Sequence, residues 1–278
     1  MSRMSAKPWQ GMMRWLLAMF LSCFLIAPAA ADEIRLAISA PLARSGLSAA
    51  LISAMEEDTG ISVRLRTVSP RRAAQLAQEG AVDAVLIDDR HLEEGLLRSG
   101  DGLRRREIMH SDFALIGPKA DPAGIREAKS VRQALSAIAG RRAAFVSRGD
   151  GSQSNVRERA LWSGAGLDPQ ADWYETVNAG MQATIEAAAE AEAYLIADRI
   201  SWLRSEGRDG LAILFAEDPA LRDQFTFVPV NPDTHEGVRS DLADRIEDWL
   251  VSDRAREIVE TFKVEGRHVF TFDAVAQE

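Results

Sequence analysis

Short apolar runs alternate with amphipathic segments along most of the chain. Alternating or β-branched runs predict strands at residues 34–38, 61–68, 82–87, 108–116, 143–146, 173–177, 194–197, 211–215 and 225–230. Apolar positions on a helical period predict helices at residues 46–58, 71–79, 92–98, 130–139, 154–165, 181–192, 201–206 and 241–262. This order predicts an α/β protein whose mostly parallel sheets carry helices on their faces.

The alternation occurs twice, which predicts two lobes. The longer strands at 108–116 and 225–230 are the natural crossovers between them. We therefore predict one lobe from residues 32–112 and 231–278 and a second from residues 113–230. A chain that crosses out and back leaves a cleft between its lobes, where ligands commonly bind.

The first 31 residues predict a secretory signal peptide rather than part of the fold. Arg3, Lys7 and Arg14 precede an apolar run at 15–26, and three alanines at 29–31 favour cleavage before Asp32. Lipidation at Cys23 is the weaker alternative, because the residues before it make a poor lipobox. The predicted location is periplasmic, with no membrane-spanning segment left after cleavage.

Removal of this leader changes the charge and the thiol content. It contains three basic residues, no acidic residue and the only cysteine, so the mature chain carries 30 basic and 42 acidic residues, a net charge of −12. Such a chain does not attract nucleic acid or anionic lipid. Any site for an anion must therefore be built locally, against the overall field.

Residues 145–155 contain the most suggestive local chemistry. A short strand leads to a turn rich in glycine and hydroxyls, and then to a helix that Ser152 or Ser154 can cap. Unpaired N–H groups at a helix start, together with Arg148, can hold an oxyanion. The same residues are also compatible with an ordinary strand-to-helix connection and a surface arginine.

Serine residues also follow the predicted strands of the first lobe. Ser39 comes after the first strand, and Ser69 comes after the second. Since the carboxyl ends of parallel strands share one edge of a sheet, these hydroxyls are candidate donors from the opposite side of the cleft. Each of them is individually also a candidate helix cap.

Enzymatic chemistry has little support. The four histidines are far apart without ligand-spaced partners, so we predict neither a protein-bound metal nor a cofactor. The chain also lacks a Gly-x-Ser-x-Gly elbow, a P-loop and a dinucleotide-binding fingerprint. We expect a binding protein and not an enzyme.

Motifs in a fixed order resemble the tungstate-binding periplasmic components of ABC importers. They are Asp112-Phe113, Ile116-Gly117-Pro118, Asp121-Pro122-Ala123-Gly124-Ile125, Phe145-Val146-Ser147-Arg148-Gly149-Asp150, Glu158 with Leu161-Trp162, Trp173-Tyr174, Gly180-Met181, Ala193-Tyr194, Asp198-Arg199, Val230-Asn231-Pro232 with His235, and Trp249-Leu250. The resemblance covers nearly the whole mature chain. It implies a two-lobed periplasmic-binding-protein fold of type II, acting as a monomer that delivers a tetrahedral oxyanion to an inner-membrane ABC permease.

The resemblance also implies a set of ligand contacts. Arg148, Ser152 and Ser154 match hydroxyl and arginine positions of the family. In the first lobe the match is thinner, because Ser39 alone remains of a run of threonines and serine, and Ser69 begins Ser-Pro-Arg in place of Gly-Thr-Gly. Proline there removes a backbone donor.

These departures leave the ligand open. Tungstate or molybdate is the leading candidate, and another oxyanion or a small carboxylate remains an alternative. A sensor domain that signals to a membrane partner is the second class of function. A permease gene beside this one would favour transport, and a membrane kinase or cyclase gene would favour sensing.

Overall fold

Residues 32–170 and 172–274, which the computed structural model describes, follow the predicted alternation of strands and helices. The strands are β1 (Glu33–Ser39), β2 (Ser62–Val68), β3 (Ala84–Ile87), β4 (Arg106–Pro118), β5 (Phe145–Ser147), β6 (Tyr174–Thr176), β7 (Leu195–Asp198), β8 (Leu211–Phe215), β9 (Arg222–Pro229), β10 (Lys263–Val264), β11 (Arg267–His268) and β12 (Thr271–Phe272). The α-helices are α1 (Ala40–Ser45), α2 (Leu47–Thr59), α3 (Pro70–Gln78), α4 (Arg90–Ser99), α5 (Val131–Gly140), α6 (Gln153–Gly164), α7 (Met181–Glu190), α8 (Arg199–Arg204), α9 (Ser240–Leu250) and α10 (Asp253–Thr261). The predicted signal peptide lies outside the described residues.

The main sheet confirms the α/β class and is mixed in strand direction. Strands β2, β1 and β3 are parallel neighbours, and β9 and then β4 continue the sheet in antiparallel fashion. In this register Ile38 lies beside Leu86, and Ile87 lies opposite Thr226. The carboxyl-terminal ends of β1 and β3 therefore lie side by side, next to β9.

Strand β4 takes part in two regions of the sheet. Its first part pairs with β9, and its second part, from Phe113 onward, pairs with β7 and β8. The buried clusters change at the same place. Ile108 and Met109 pack with residues 34–86 and 225–274, joined by Ile200, whereas Phe113 and Leu115 pack with side chains from residues 123–221. Strand β4 thus passes from one buried cluster to another.

Two helical segments differ from the sequence prediction. Residues 40–45 form the short helix α1, which begins with proline in its first turn and ends at Gly46 with a left-handed φ of 88°. The predicted single helix at 241–262 is two helices, because Ser252 caps α10 by accepting a hydrogen bond from the Ala255 N–H at 3.3 Å. Both α9 and α10 pack on the same core, so the apolar period continues across the break.

None of the helices within residues 32–170 and 172–274 is long and apolar enough to cross a membrane. From Glu33 onward, the described residues form one compact unit.

Candidate functional site

Serine residues at helix starts divide into two kinds. Ser69, Ser130 and Ser252 each accept a hydrogen bond from a backbone N–H in the first turn of the following helix, as ordinary N-caps do. Ser39 and Ser152 occupy the same position in front of α1 and α6 but make no cap bond. The hydroxyl oxygens of both are buried, and neither makes a hydrogen bond of normal geometry within the described residues, although each lies close to an acidic side chain and lowers its pKa. A buried polar group is normally paired, so these two hydroxyls point to a ligand or to ordered water.

Ser39 lies at the edge of the sheet beside Asp88. Ser39 is fully buried at the end of β1, and Asp88 directly follows β3 with only 4% of its surface exposed. Burial raises the pKa of Asp88 to about 6, even though the nearby Ser39 hydroxyl acts to lower it. Neither carboxylate oxygen of Asp88 has a hydrogen-bond partner of normal geometry within the described part of the chain.

A second acidic side chain lies on the adjacent strand β9. Asp223 is buried and stands directly opposite Ser111 of β4, so their side chains share one face of the sheet. Burial, followed by the negative charge of Asp88, raises the pKa of Asp223 well above its usual value. The Ser111 hydroxyl and Asp223 Oδ1 are likewise buried without partners in the described residues.

The turn between β5 and α6 is held in a fixed conformation. Asp150 accepts hydrogen bonds from the Ser152 N–H at 3.0 Å and from Arg148 Nε at 2.7 Å. Burial acts to raise the pKa of Asp150, but the bonds from Ser152 and the Arg148 charge outweigh it, and the pKa is lowered. Gly149 has a φ of 67°, and a Cβ there would lie 1.9 Å from Thr176 Cγ2, so only glycine fits.

This turn approaches the first strand ends. The Gln153 side chain donates to the Asp88 carbonyl oxygen at 3.5 Å, which brings the start of α6 next to the end of β3. A cavity of about 400 Å³ lies between the same parts of the chain, with Ser69, Asp89 and Ser152 among its lining residues. The helix start in residues 145–155 therefore faces the strand ends of the other half.

The predicted site residues are not all in one place. Ser152 and Ser69 line the same cavity, although Ser69 is exposed and its hydroxyl is used as the cap of α3. Ser154 is the second residue of α6 and is partly buried. Arg148 lines a neighbouring cavity of about 460 Å³, which includes Arg44 and Arg204 among its lining residues.

Sequence reasoning missed Asp88, Asp223, Ser111 and Arg199. The rule that located Ser39 also applies to Asp88, because both directly follow a parallel strand. Asp223 and Ser111 had no local signal, since their proximity depends on the pairing of β4 with β9. Arg199 lies 3.8 Å from Asp112, and its Nε is buried without a partner in the described residues.

A larger cavity of about 510 Å³ lies behind the turn, lined by residues 147–176 of the second half only. Three of its polar lining side chains, Ser147, Asn155 and Tyr174, are held by hydrogen bonds within this half. Ser147 donates to Glu158 at 3.0 Å, Asn155 donates to Ser147 at 3.3 Å, and the Tyr174 hydroxyl donates to Glu158. Because these groups are already paired, we place the candidate site at the strand ends and not in this larger space.

Metal ligation finds no geometric support in the residues that the structure describes, where no group of three or more histidine, cysteine or acidic side chains could hold an ion. His110 and His235 are each bonded to an aspartate, Asp273 at 2.8 Å and Asp101 at 2.9 Å. The polar groups of the candidate site are hydroxyls, backbone N–H groups, arginines and buried carboxyls.

The family model for the PBP superfamily domain matches residues 27–254. Over 249 residues the chain is 33% identical to the tungstate-binding protein TupA of Peptoclostridium acidaminophilum, covering 88% of this chain and 87% of that protein. The chain belongs to the tungstate-binding protein family of this superfamily. The resemblance predicted from the sequence motifs is thereby confirmed.

Solved structures of the same family agree in fold. The tungstate-binding protein TupA from Desulfovibrio alaskensis G20 matches with a TM-score of 0.84 and 33% identity, over 88% of this chain and 100% of that chain. The tungstate ABC transporter structure from Geobacter sulfurreducens matches with a TM-score of 0.71 and 32% identity, over 83% and 99% of the two chains. The predicted periplasmic-binding-protein fold is confirmed, and the relatives are binding proteins rather than enzymes.

Proposed function

We propose that this chain is the exported solute-binding protein of an ABC importer and captures a tetrahedral oxyanion, tungstate or molybdate, in a cleft between two lobes. The lobes would comprise residues 32–112 with 231–278, and residues 113–230. The protein would act as a periplasmic monomer after cleavage of its leader and deliver the anion to an inner-membrane permease.

The observation that carries this proposal is the pair of buried hydroxyls at Ser39 and Ser152, neither of which caps the helix that follows it. They belong to opposite halves, and Ser152 stands at the start of the 12-residue helix α6, where backbone N–H groups and the helix dipole favour an anion. The family membership adds the expectation of an oxyanion ligand and a permease partner.

Arg148 would supply positive charge, with Ser154 and Ser69 as further contacts. The Arg148 charge is partly offset by Asp150, so we expect arginine to strengthen binding and the hydroxyls to fix the geometry.

Titration calorimetry of the chain from Asp32 onward tests the proposal, with tungstate, molybdate, sulfate and small carboxylates as ligands. We expect heat with tungstate or molybdate and a roughly 10- to 100-fold weaker Kd in Ser39→Ala and Ser152→Ala, the loss of a hydrogen bond to a charged group. Arg148→Ala should weaken binding at least as much.

Matched controls separate binding from folding. Ser130→Ala removes a hydroxyl that is used as a cap, so it should lower stability by about 1 kcal/mol without changing affinity. Arg98→Ala removes an exposed arginine of α4 and should change neither. An absence of heat with every oxyanion would show the proposal to be wrong, and so would unchanged affinity in all three site variants.

A further inference from the structure

Four polar side chains of the main sheet are almost completely buried, and each has at least one oxygen atom without a hydrogen-bond partner of normal geometry within the described residues. Ser39 is 0% exposed, Ser111 1%, Asp223 3% and Asp88 4%. Ser39, at the end of β1, lies close to Asp88, which directly follows β3, and Ser111 of β4 lies opposite Asp223 of β9. The two serines are an observation independent of the acids, because a hydroxyl needs a hydrogen-bond partner whether or not a charge is near.

The charges around the two acids are mostly negative. Asp89 and Asp198 face Asp88, and Asp198 and Asp112 face Asp223. Arg157 is the positive group that faces Asp223, and it also lies 5.7 Å above the Phe113 ring. Asp198 is partly committed, since its Oδ1 accepts the Ser201 N–H at 2.8 Å.

An anion cannot easily enter beside two ionised, buried carboxylates, because like charges at low dielectric repel strongly. A protonated carboxyl behaves differently, since its O–H donates a hydrogen bond to an anion oxygen. Burial, with the negative charges of Asp89 and Asp198, already raises the pKa of Asp88 to about 6. Burial and the negative charge of Asp88 raise the pKa of Asp223 well above its usual value. Protonation of this pair is therefore within reach at neutral pH.

We propose that Asp88 and Asp223 contact the bound anion, and that the site takes up its anion together with one proton held between this carboxyl pair and the anion oxygens. The inference rests on the proposed function and deepens it. For tungstate, molybdate or sulfate the proton comes from solvent. For an anion that already carries a proton, such as hydrogen phosphate, the ligand brings its own.

This arrangement makes the two acids determinants of specificity. Fully deprotonated oxyanions bind only after the pair is protonated, so their affinity falls as pH rises. Hydrogen phosphate can donate to an ionised carboxylate and is less affected. The Ser39 hydroxyl is close enough to Asp88 to lower its pKa, and Ser111 lies opposite Asp223, so each hydroxyl can bond its acid or the same anion.

Calorimetry with sodium tungstate between pH 6.5 and 8.5, in oxyanion-free buffers of differing ionisation enthalpy, measures the proton directly. We expect uptake of about one proton at pH 8 and a Kd that weakens by up to about tenfold per pH unit. Hydrogen phosphate is the comparison ligand and should take up fewer protons.

Asp88→Asn and Asp223→Asn should each flatten the pH profile and reduce proton uptake by at least half. Asp209→Asn, at an exposed position, is the charge-matched control and should leave the pH profile and the proton uptake unchanged. Tungstate binding with no proton uptake and a flat pH profile in the unaltered protein overturns this inference and leaves the proposed function intact. No heat with any anion at any pH overturns both.

Discussion

Two groups of acidic side chains are equally buried and differ in their partners. Asp83, Glu93 and Glu247 are 0%, 1% and 3% exposed, and each is bound by at least one arginine. Asp88 and Asp223, at 4% and 3%, have no arginine bonded to them in the described residues. Burial alone therefore does not separate the groups. Their partners do.

The contrast is visible in the pKa values of one member of each group, Asp83 and Asp88. Burial acts to raise the pKa of Asp83, but hydrogen bonds from Arg35 and from the Arg239 and Arg35 N–H groups hold it below its usual value. Burial of Asp88 has no such compensation, and its pKa rises to about 6. An acid bonded to arginine links neighbouring strands and helices. A buried acid without such a partner lowers the free energy of unfolding, and side chains that lower stability in this way are common at functional sites.

The largest effect should come from removing an arginine of the partnered group. Arg105 donates from Nε and from a second guanidinium nitrogen to Glu93 Oε2 at 2.8 and 2.6 Å, and burial still raises the pKa of Glu93 to about 7. Arg105→Met leaves this carboxyl uncompensated, so we expect a loss of about 3–5 kcal/mol at pH 8.

The pH dependence distinguishes this cause from a loss of packing. Without Arg105 the folded-state pKa of Glu93 rises further above its unfolded value. The added cost is therefore small at pH 5, where Glu93 is protonated, and grows as pH rises. Urea unfolding at the two pH values measures it, with Arg98→Met as an exposed control. An equal loss at both pH values would contradict the prediction.

The fold and the candidate site differed in how far the sequence could predict them. Apolar period and turn residues indicated the strands and helices because these are local properties. The apolar period gave no sign of the break before α10, because α9 and α10 both pack their apolar side chains against one core. A helix at 40–45 was missed because it is too short to show a period.

The site was predictable only where a local rule applied. Ser39 and Ser152 stand at a strand end and a helix start, and local pattern marks both. Ser69 caps its helix and Ser39 does not. The difference depends on the local backbone orientation, which the amino-acid sequence does not specify. Asp223 comes near Asp88 only through the pairing of β9 with β3 and β4.

Replacing an aspartate by asparagine should have opposite effects on the free energy of unfolding in the two groups. Because the folded-state pKa of Asp88 lies near 6, above an unfolded value of about 4, the protein loses stability as pH rises through that window. Asp88→Asn removes this cost, so we expect roughly 1–3 kcal/mol of stabilisation at pH 8 in anion-free buffer and little change at pH 4.

Asp83→Asn is the matched comparison. It weakens a bond to Arg35 and should destabilise by on the order of 2 kcal/mol at pH 8, with less effect at low pH, where Asp83 is protonated. Thermal unfolding resolves both, since 1 kcal/mol shifts the Tm of a chain this size by about 2–4 °C. A lower Tm for Asp88→Asn at pH 8 would remove the distinction between the groups.

The smallest predicted effect concerns a buried acid held by neutral groups. Glu158 is 2% exposed and bonds to the hydroxyls of Ser147 and Tyr174, and burial raises its pKa. Tyr174→Phe keeps the stacked contact with Phe145, whose ring centroid lies 5.4 Å away, but removes one donor. We expect a loss of about 1–2 kcal/mol at pH 8.

The loss in Tyr174→Phe should shrink toward pH 5, because the missing donor stabilised the ionised form of Glu158 and raises its folded-state pKa further when removed. Glu158→Gln provides the double-mutant cycle: in that background the tyrosine substitution should cost less and no longer depend on pH. Equal, pH-independent losses in both backgrounds would mean that Tyr174 acts through packing alone. A pH-dependent loss would place Glu158 between the two groups, since its two bonded hydroxyls then offset part of the cost of burial. Arginine offsets this cost for Asp83, and no arginine in the described residues is bonded to Asp88.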